Sequence, residues 1–226
     1  MTLVDLVVFD IAGTTVKDSD DVNQCVQDAL LAAGIEISLP TINATMGLPK
    51  PVAIKKLLDD SGNAGDVERI HEDFVARMSH YYRTSPDVGA IEGAEQAFET
   101  LRKAGIKVTL DTGFSSDITS IILERLGWDD SVIDGAVSSD EVERGRPYPD
   151  MIHYHMNRFG LTDIARVAKV GDAPADLNEG SNAGCGFVIG VLGGTHNREQ
   201  LSGHPHTHLV DTVRDVPALI LGGDLS

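Results

Sequence analysis

The sequence has little of what marks exported, membrane or nucleic-acid-binding proteins. Its 226 residues include only two cysteines and one tryptophan, and 18 Lys and Arg stand against 35 Asp and Glu, for a formal net charge of −17. A field of that sign repels polyanions, so we expect neither a nucleic acid partner nor an anionic membrane surface. A small anionic substrate would need local positive charge from a metal ion, a basic side chain or backbone amides.

Long apolar runs and targeting signals are also lacking. No stretch approaches the roughly 18 apolar residues needed to span a membrane, and the first residues, MTLVDLVVFD, have no basic n-region and no small-residue cleavage site. Cys25 and Cys185 lie far apart without neighbouring Cys or His ligands, so we expect reduced packing residues rather than a disulfide or a zinc site. These absences predict a cytoplasmic protein.

What the sequence does contain is an alternation of apolar runs with stretches of helical period. The strand candidates are residues 3–9, 106–110, 135–138, 166–170 and 187–192. Helical stretches between them end at glycines such as Gly105 and Gly127, the residue preferred where a helix stops. The alternation is typical of a parallel sheet covered by helices. We therefore predict an α/β fold with a Rossmann-like, three-layer parallel-sheet core.

One region has no strand candidate. Between residues 17 and 88, apolar residues recur at helical spacing in three groups, at 22–33, 54–58 and 67–78, and the loops between them carry Pro and Gly. We predict that residues 17–88 form a small helical cap domain, inserted into an α/β core made of residues 1–16 and 89–226.

Polar residues follow the predicted strands at their carboxyl ends, where open parallel sheets bind ligands. They are Asp10 after the first strand, Thr112 and Gly113 after the second, and Asp172 and Asp176 after the fourth. Carboxylates that meet repel one another unless a cation is present, and hard oxygen ligands suit Mg²⁺. We therefore predict a Mg²⁺ site at this edge of the sheet. A helix N-cap is the plainer interpretation of Asp172, because it precedes PADLNEGSNAG.

Four segments resemble the motifs of the haloacid dehalogenase superfamily of hydrolases: FDIAGTT, the Thr after the second strand, GRPYPD and GDAPAD. Within it, the sequence is most similar to the phosphonatase (phosphonoacetaldehyde hydrolase) branch. That likeness rests on DxAGTT, on GRPYP, and on MGLPK, which places Met46 and Lys50 in the predicted cap. Each motif alone is weak, and together they are specific.

The resemblance implies a role for each matching residue. Asp10 would be the nucleophile that forms an aspartyl-phosphate, with Arg146 as fixed positive charge beside it. The ligands of Mg²⁺ would be Asp10, the Ala12 carbonyl and Asp172, with Asp176 in the outer shell. The residues that contact the substrate or its phosphoryl oxygens would be Thr112, Ala12, Gly13, Gly113 and Met46. For Arg146, a surface ion pair with Glu143 or Asp150 is the alternative interpretation.

Ala12 separates this branch from typical phosphatases of the superfamily, which have a second Asp there to protonate the leaving group. In the phosphonatase branch a cap lysine forms an imine with the substrate aldehyde, and the imine accepts the electrons of the broken C–P bond. Lys50 stands at that position. Its amine must be unprotonated to attack, which requires burial or a nearby cation. The plainer interpretation is a solvated lysine at a helix start between Pro49 and Pro51.

Three departures from the phosphonatase pattern concern the substrate. Ala53 replaces a His, Asp111 replaces a small or hydroxylated residue, and VKDSDD after the first motif lacks a Gly-Cys pair. We therefore predict a Mg²⁺-dependent hydrolase of a small phosphonate or phosphate ester, with an ordinary phosphomonoester phosphatase as the alternative. A phospho-accepting signalling module and an inactive metal-binding relative are further hypotheses, and a homodimer is compatible with the sequence.

The remaining candidates have plain explanations. His204, His206 and His208 alternate and could bind a transition metal on a strand, but Pro205 favours a surface loop that leads into a short strand. Packing or solvated roles are expected for His153 and His155, and Phe114 and Tyr148 are expected to form the wall of the site.

Overall fold

The structure, a computed structural model, describes residues 4–222 and contains one sheet of six strands. The strands are β1 (Leu6–Asp10), β2 (Lys107–Thr112), β3 (Gly135–Ser138), β4 (Val167–Gly171), β5 (Phe187–Val191) and β6 (His208–Val210). Their order is β3-β2-β1-β4-β5-β6, and all neighbours are parallel. The predicted α/β fold is confirmed. Residue 3 of the first predicted run lies outside the described residues.

The described residues also form ten α-helices. They are α1 (Asp21–Ala32), α2 (Leu39–Asn43), α3 (Lys50–Ser61), α4 (Val67–Thr84), α5 (Ala94–Lys103), α6 (Ser116–Leu126), α7 (Asp150–Phe159), α8 (Pro174–Ala183), α9 (Arg198–Ser202) and α10 (Val216–Leu221). No helix within residues 4–222 has both the length and the apolar character to cross a membrane.

Both faces of the sheet are covered, as β1 illustrates. Val7 and Phe9 belong to the larger apolar core, where the Phe9 ring meets Phe98 of α5 at 5.3 Å between centroids. Leu6 and Val8 point to the opposite face and belong to a second core with residues of α7 and α8. Since side chains alternate along a strand, burial on both faces explains why the strands are uninterrupted apolar runs.

The helices α1 to α4 lie between β1 and β2 in the chain, and no strand occurs in residues 17–88 of the part described. Three of these helices coincide with the predicted apolar groups, whereas α2 falls in a stretch predicted to be loop. This helix has only five residues, with Ser38 as its N-cap and Pro40 at its second position, and it is too short to show a period.

The two connections to this helical segment run side by side. The Lys17 N–H donates to the Gly89 carbonyl at 3.0 Å, and the Ile91 N–H donates to the Thr15 carbonyl at 2.8 Å. The division into a core of residues 1–16 and 89–226 and a cap of residues 17–88 stays a prediction.

Candidate active site

Asp10 ends β1, and the loop that follows folds tightly beneath it. Thr15 Oγ1 donates to the Asp10 carbonyl at 2.8 Å, and the Thr15 N–H donates to the Ile11 carbonyl at 2.9 Å. Gly13 has a φ of 86°, in the region that favours glycine, and a Cβ there would lie 2.5 Å from an oxygen of Asp172. The small residues of AGTT therefore allow the first and fourth strand ends to approach closely.

Asp172 follows β4, and hydrogen bonds hold both of its oxygens. Oδ1 accepts from Thr14 Oγ1 at 3.0 Å, and Oδ2 accepts from the N–H and the hydroxyl of Thr195, both at 2.7 Å. The carboxylate that accepts the Ala173 N–H at the start of α8 is Asp176, at 3.2 Å. The interpretation of Asp172 as a helix N-cap is therefore wrong.

Arg146 is buried at the centre of the site. Its Nη1 lies 2.7 Å from Asp10 Oδ1 and 3.0 Å from Asp176 Oδ1, and its Nε donates to Glu179 Oε2 at 3.1 Å. Its Nη2 also bonds Asp111. A surface ion pair for Arg146 is therefore wrong.

The partner of Asp150 is the neighbouring Arg144, at 3.1 Å. The Arg144 guanidinium lies 4.6 Å from the centre of the Tyr148 ring, which is about half exposed.

Lys169 of β4 is a second buried cation that the sequence patterns did not single out. Its Nζ lies 3.2 Å from Asp176 Oδ1 and 3.1 Å from Glu179 Oε2, and it also contacts Asp111. Burial alone would raise the pKa of Asp111, but the charges of Arg146 and Lys169 outweigh it and hold that pKa below its usual value. The acidic residue that departs from the family pattern thus pairs with both of these cations.

The site carries more negative than positive charge. Five buried carboxyl groups, Asp10, Asp111, Asp172, Asp176 and Glu179, accompany three buried basic side chains, Arg146, Lys169 and Lys50. Burial raises the pKa of Asp10 to about 8, against the opposing pull of Arg146. A bound cation would favour the ionised form of these groups, so the donor set fits a metal site made of hard oxygen ligands.

The position of Arg146 indicates which oxygens remain for a metal. Oxygens of Asp10, Asp111 and Asp176 lie within 4.8 Å of one another. The guanidinium contacts an oxygen of each, and therefore already fills the space between them. A metal bound by this group would therefore have to use carboxylate oxygens that Arg146 does not contact.

A small cavity of about 20 Å³ lies at the strand ends, with room for an ion or a water molecule. Nine of the ten predicted site residues line it: Asp10, Ala12, Met46, Lys50, Thr112, Gly113, Arg146, Asp172 and Asp176. The tenth, Gly13, lies behind Asp172 instead. The sequence therefore predicted which residues meet, and their individual roles stay predictions.

The loop before Lys50 packs directly against glycines of the α/β part. A Cβ on Gly113 would lie 2.6 Å from the Leu48 carbonyl oxygen, and a Cβ on Gly145 would lie 2.6 Å from Pro49 Cγ. Real Cβ atoms do not approach that closely, so both positions require glycine for this contact. The contact brings Lys50, at the start of α3, into the cavity.

Lys50 is only 4% exposed, so its interpretation as a solvated lysine is wrong. Its Nζ lies 5.4 Å from the centre of the Phe114 ring. Burial lowers the pKa of Lys50 to about 8, although the carboxylates of Asp18 and Asp10 act in the opposite direction. Near pH 7, a lysine with a lowered pKa has a far larger unprotonated fraction than a solvated lysine.

Several functional neighbours were not predicted. Lys169 could have been predicted from the sequence, because a charged residue inside an apolar strand requires a buried partner. Glu179 lies three residues after Asp176 on α8, a spacing that puts both on one helical face. Thr195, which donates two hydrogen bonds to Asp172, could not have been predicted. It belongs to a loop after β5 whose path the sequence does not indicate.

The histidines contact local partners. His155 is buried with Nε2 at 2.9 Å from the Leu110 carbonyl oxygen, and burial lowers its pKa to about 4. His153 is exposed. His206 Nδ1 lies 2.7 Å from the His204 carbonyl oxygen, and His208 opens β6, as the predicted loop and strand require.

Comparisons with known proteins agree on one family. A family model described as haloacid dehalogenase-like hydrolase matches residues 7–190. The phosphonoacetaldehyde hydrolase of Bordetella pertussis is 28% identical over 258 residues, covering 96% of this chain and 91% of the relative. The enzyme of that name from Latilactobacillus sakei is 31% identical over 208 residues, covering 85% of this chain and 77% of the relative.

A solved structure has a closely similar fold. It is a phosphonoacetaldehyde hydrolase-like protein from Oleispira antarctica, with a TM-score of 0.86 and 22% identity, covering 96% of this chain and 91% of the other. At that identity the likeness concerns the fold alone.

Proposed function

The chain belongs to the haloacid dehalogenase-like hydrolases, and from this premise we propose that it cleaves a small phosphonate that carries an aldehyde, using Asp10, Lys50 and Mg²⁺. One observation supports this choice above the others: the amine of Lys50 is buried in the same cavity as Asp10 and Arg146. An ordinary phosphatase needs a fixed cation beside its nucleophile, which Arg146 already supplies, and does not require a second basic group whose pKa is lowered.

In the phosphoryl step, a carboxylate oxygen of Asp10 attacks phosphorus in line and forms an aspartyl-phosphate, which water then hydrolyses. Arg146 holds Oδ1 of Asp10 and places positive charge next to the phosphoryl oxygens. Thr112, Gly113 and the backbone around Ala12 and Gly13 bind those oxygens. Bound Mg²⁺, held by Asp10, the Ala12 carbonyl and Asp172 with Asp176 in the outer shell, would offset the repulsion between the two anions.

In the amine step, Lys50 forms an imine with the substrate aldehyde. The protonated imine accepts the electron pair of the C–P bond when phosphorus transfers to Asp10, so carbon does not leave as an unstabilised anion. Met46, Val22 and Phe114 line the cavity around this group. Because the cavity holds little more than a water molecule, the segment of α1 to α4 must move to admit the substrate.

An ordinary phosphomonoester phosphatase is the second candidate. The observation that favours it is Ala53, which is buried one turn after Lys50 where the phosphonatase pattern has an acid/base histidine. A homodimer, a cytoplasmic location and the lack of a nucleic acid partner stay predictions.

The test is to measure turnover of phosphonoacetaldehyde and of a panel of phosphate esters, with Mg²⁺ and with chelator, and to add borohydride during turnover. We expect phosphonate cleavage that needs Mg²⁺ and a borohydride adduct located on Lys50. A Lys50→Arg variant keeps the charge without a nucleophilic amine and should give neither. Turnover of phosphate esters alone, with Lys50 unlabelled, would establish the phosphatase instead.

A further inference from the structure

The two positions at which related enzymes place an acid/base residue, 12 and 53, are alanine here. Imine chemistry nevertheless requires proton exchange, because Lys50 Nζ must lose protons to attack and the oxygen that leaves must gain them. Among residues 4–222, no carboxylate forms a salt bridge with Lys50. The proton partner of Lys50 must therefore act across a gap that a water molecule or the substrate fills.

Asp18 is the candidate for this task. It lies directly after Lys17, whose N–H pairs with the Gly89 carbonyl where the helical segment leaves the α/β part. Its Oδ1 accepts the Val22 N–H at 3.2 Å, and Val22 lines the cavity with Lys50 and Asp10. Its Oδ2 is buried and has no hydrogen-bond partner within the described chain. A buried carboxylate oxygen without a partner is costly, which marks Asp18 as a candidate for function.

Electrostatics connects Asp18 with the cavity. Two carboxylates raise the pKa of Lys50, and Asp18 has a larger effect than Asp10. Burial, followed by the charges of Asp172 and Asp21, raises the pKa of Asp18 itself to about 6, against hydrogen bonds from the Val22 and Asp21 backbone. A carboxyl group with that pKa can both accept and return a proton near neutral pH.

We propose that Asp18 is the acid/base group that exchanges protons with Lys50 during imine formation, through one water molecule or the substrate oxygen. This role rests on the proposed function, because it concerns the same imine. It also explains why alanine is tolerated at positions 12 and 53.

The proton transfers balance as follows. The Lys50 amine attacks the aldehyde carbon, an N–C bond forms, and the carbonyl electron pair moves to oxygen. The Asp18 carboxylate accepts the two protons of the nitrogen one after the other and returns each to that oxygen, which leaves as water when the C–O bond breaks and the C=N bond forms. The neutral imine then takes a proton from solvent and becomes the protonated imine. Asp18 is then a carboxylate again, ready for the reverse sequence when water releases the aldehyde product.

The experiment measures reductive alkylation of Lys50 by acetaldehyde and excess cyanoborohydride, read by mass spectrometry of the Lys50 peptide. This probe has no phosphorus, so it reports imine formation alone. The variant is Asp18→Asn, which keeps an oxygen for the Val22 N–H. The matched control is Asp20→Asn, which removes an exposed carboxylate of the same segment at a residue with φ of 67°, a conformation that Asn tolerates.

We expect labelling of Asp18→Asn to be slower than that of the wild type by about 100-fold above about pH 6, where Asp18 is ionised, and labelling of Asp20→Asn to match the wild type. A purely electrostatic role of Asp18 predicts a change in the opposite direction. Loss of the Asp18 charge would lower the pKa of Lys50, increase its neutral fraction and speed labelling. Labelling as fast as that of the wild type, or faster, therefore overturns the proposal.

A second measurement needs only the wild type, in case Asp18→Asn fails to fold. Its labelling rate should depend on two ionisations, that of Lys50 and a further one at about pH 6, and dependence on Lys50 alone would refute the role of Asp18. Failure of wild-type Lys50 to be labelled at all would refute the imine of the proposed function, and the role of Asp18 with it. Normal wild-type labelling with an undiminished Asp18→Asn rate would refute only the role of Asp18.

Discussion

Arg146 Nη1 meets Asp10 Oδ1 at 2.7 Å, and both side chains are almost completely buried. The guanidinium is fixed from its other side by Glu179 and Asp111, so it holds one oxygen of Asp10 in a constant position. In the proposed function, the oxygen of Asp10 that Arg146 does not contact would attack phosphorus. A nucleophile that is oriented before the substrate arrives has less conformational freedom to lose in the transition state.

Replacement of Asp10 by Asn should abolish turnover, with a loss of at least about 1,000-fold, because the amide keeps the shape but cannot form the acyl phosphate. Rapid quenching and mass spectrometry should find a phosphorylated Asp10 peptide in the wild type and none in the variant. Substantial activity in a folded Asp10→Asn protein would remove Asp10 from the mechanism.

The pH dependence of borohydride trapping should report the state of Lys50. With a pKa of about 8, the neutral fraction of Lys50 grows about tenfold per pH unit below that value and then levels off. A solvated lysine, with a pKa near its usual 10.5, would give a rate that keeps rising well beyond pH 8. Initial trapping rates across the pH range distinguish the two, and a plateau only near the ordinary lysine pKa would contradict the burial of Lys50 during catalysis.

Gly145→Ala should prevent the loop before Lys50 from packing in place, because the new Cβ would lie 2.6 Å from Pro49 Cγ. We expect trapping of Lys50 at about pH 7 to fall by roughly tenfold or more as the amine becomes solvated and protonated. Gly203→Ala is the control, since its Cβ would meet nothing closer than 3.6 Å. Equal trapping in both variants would show that this contact does not position Lys50.

Lys169→Met should destabilise the protein by about 3 kcal/mol or more, because Asp111, Asp176 and Glu179 would lose one of their two buried cations. Urea unfolding measures the difference. Lys55→Met, which removes an exposed partner of Asp59, should cost less than about 1 kcal/mol. Similar losses in the two variants would mean that the buried network contributes no more than a surface ion pair.

Binding of Mg²⁺ should raise the unfolding temperature, by an amount equivalent to about 2.7 kcal/mol when the ion is at 100 times its dissociation constant. Asp172→Asn should lose this stabilisation, whereas Asp60→Asn, at an exposed carboxylate, should keep it. Scanning calorimetry with Mg²⁺ and with chelator measures both. An Asp172→Asn protein that is stabilised as much as the wild type would exclude Asp172 as a ligand.

The fold and the membership of the site were predictable for a physical reason. Strands buried on both faces, such as β1, leave long apolar runs, and the polar residues after them must gather at one edge of a parallel sheet. Partners of those residues were less predictable. Asp111 departs from the family pattern, and the structure explains it by its ion pair with Lys169. That pairing depends on how β2, β1 and β4 lie together, which the sequence does not indicate.

Exposure was the other property that the sequence left open. Lys50 stands between two prolines in a polar stretch, a context typical of a surface turn, and its burial comes from contacts of Leu48 and Pro49 with distant glycines. The helix α2 was missed because five residues are too few to show a hydrophobic period.

The contacts at Gly113 and Gly145 also limit how the enzyme can be re-engineered. Neither position accepts even a methyl group while Leu48 and Pro49 pack against them. Libraries designed for new selectivity should therefore leave both glycines unchanged. Variation belongs at Val22, Met46 and Phe114, whose side chains line the cavity. Smaller side chains at these three positions should enlarge the space beside the Lys50 amine.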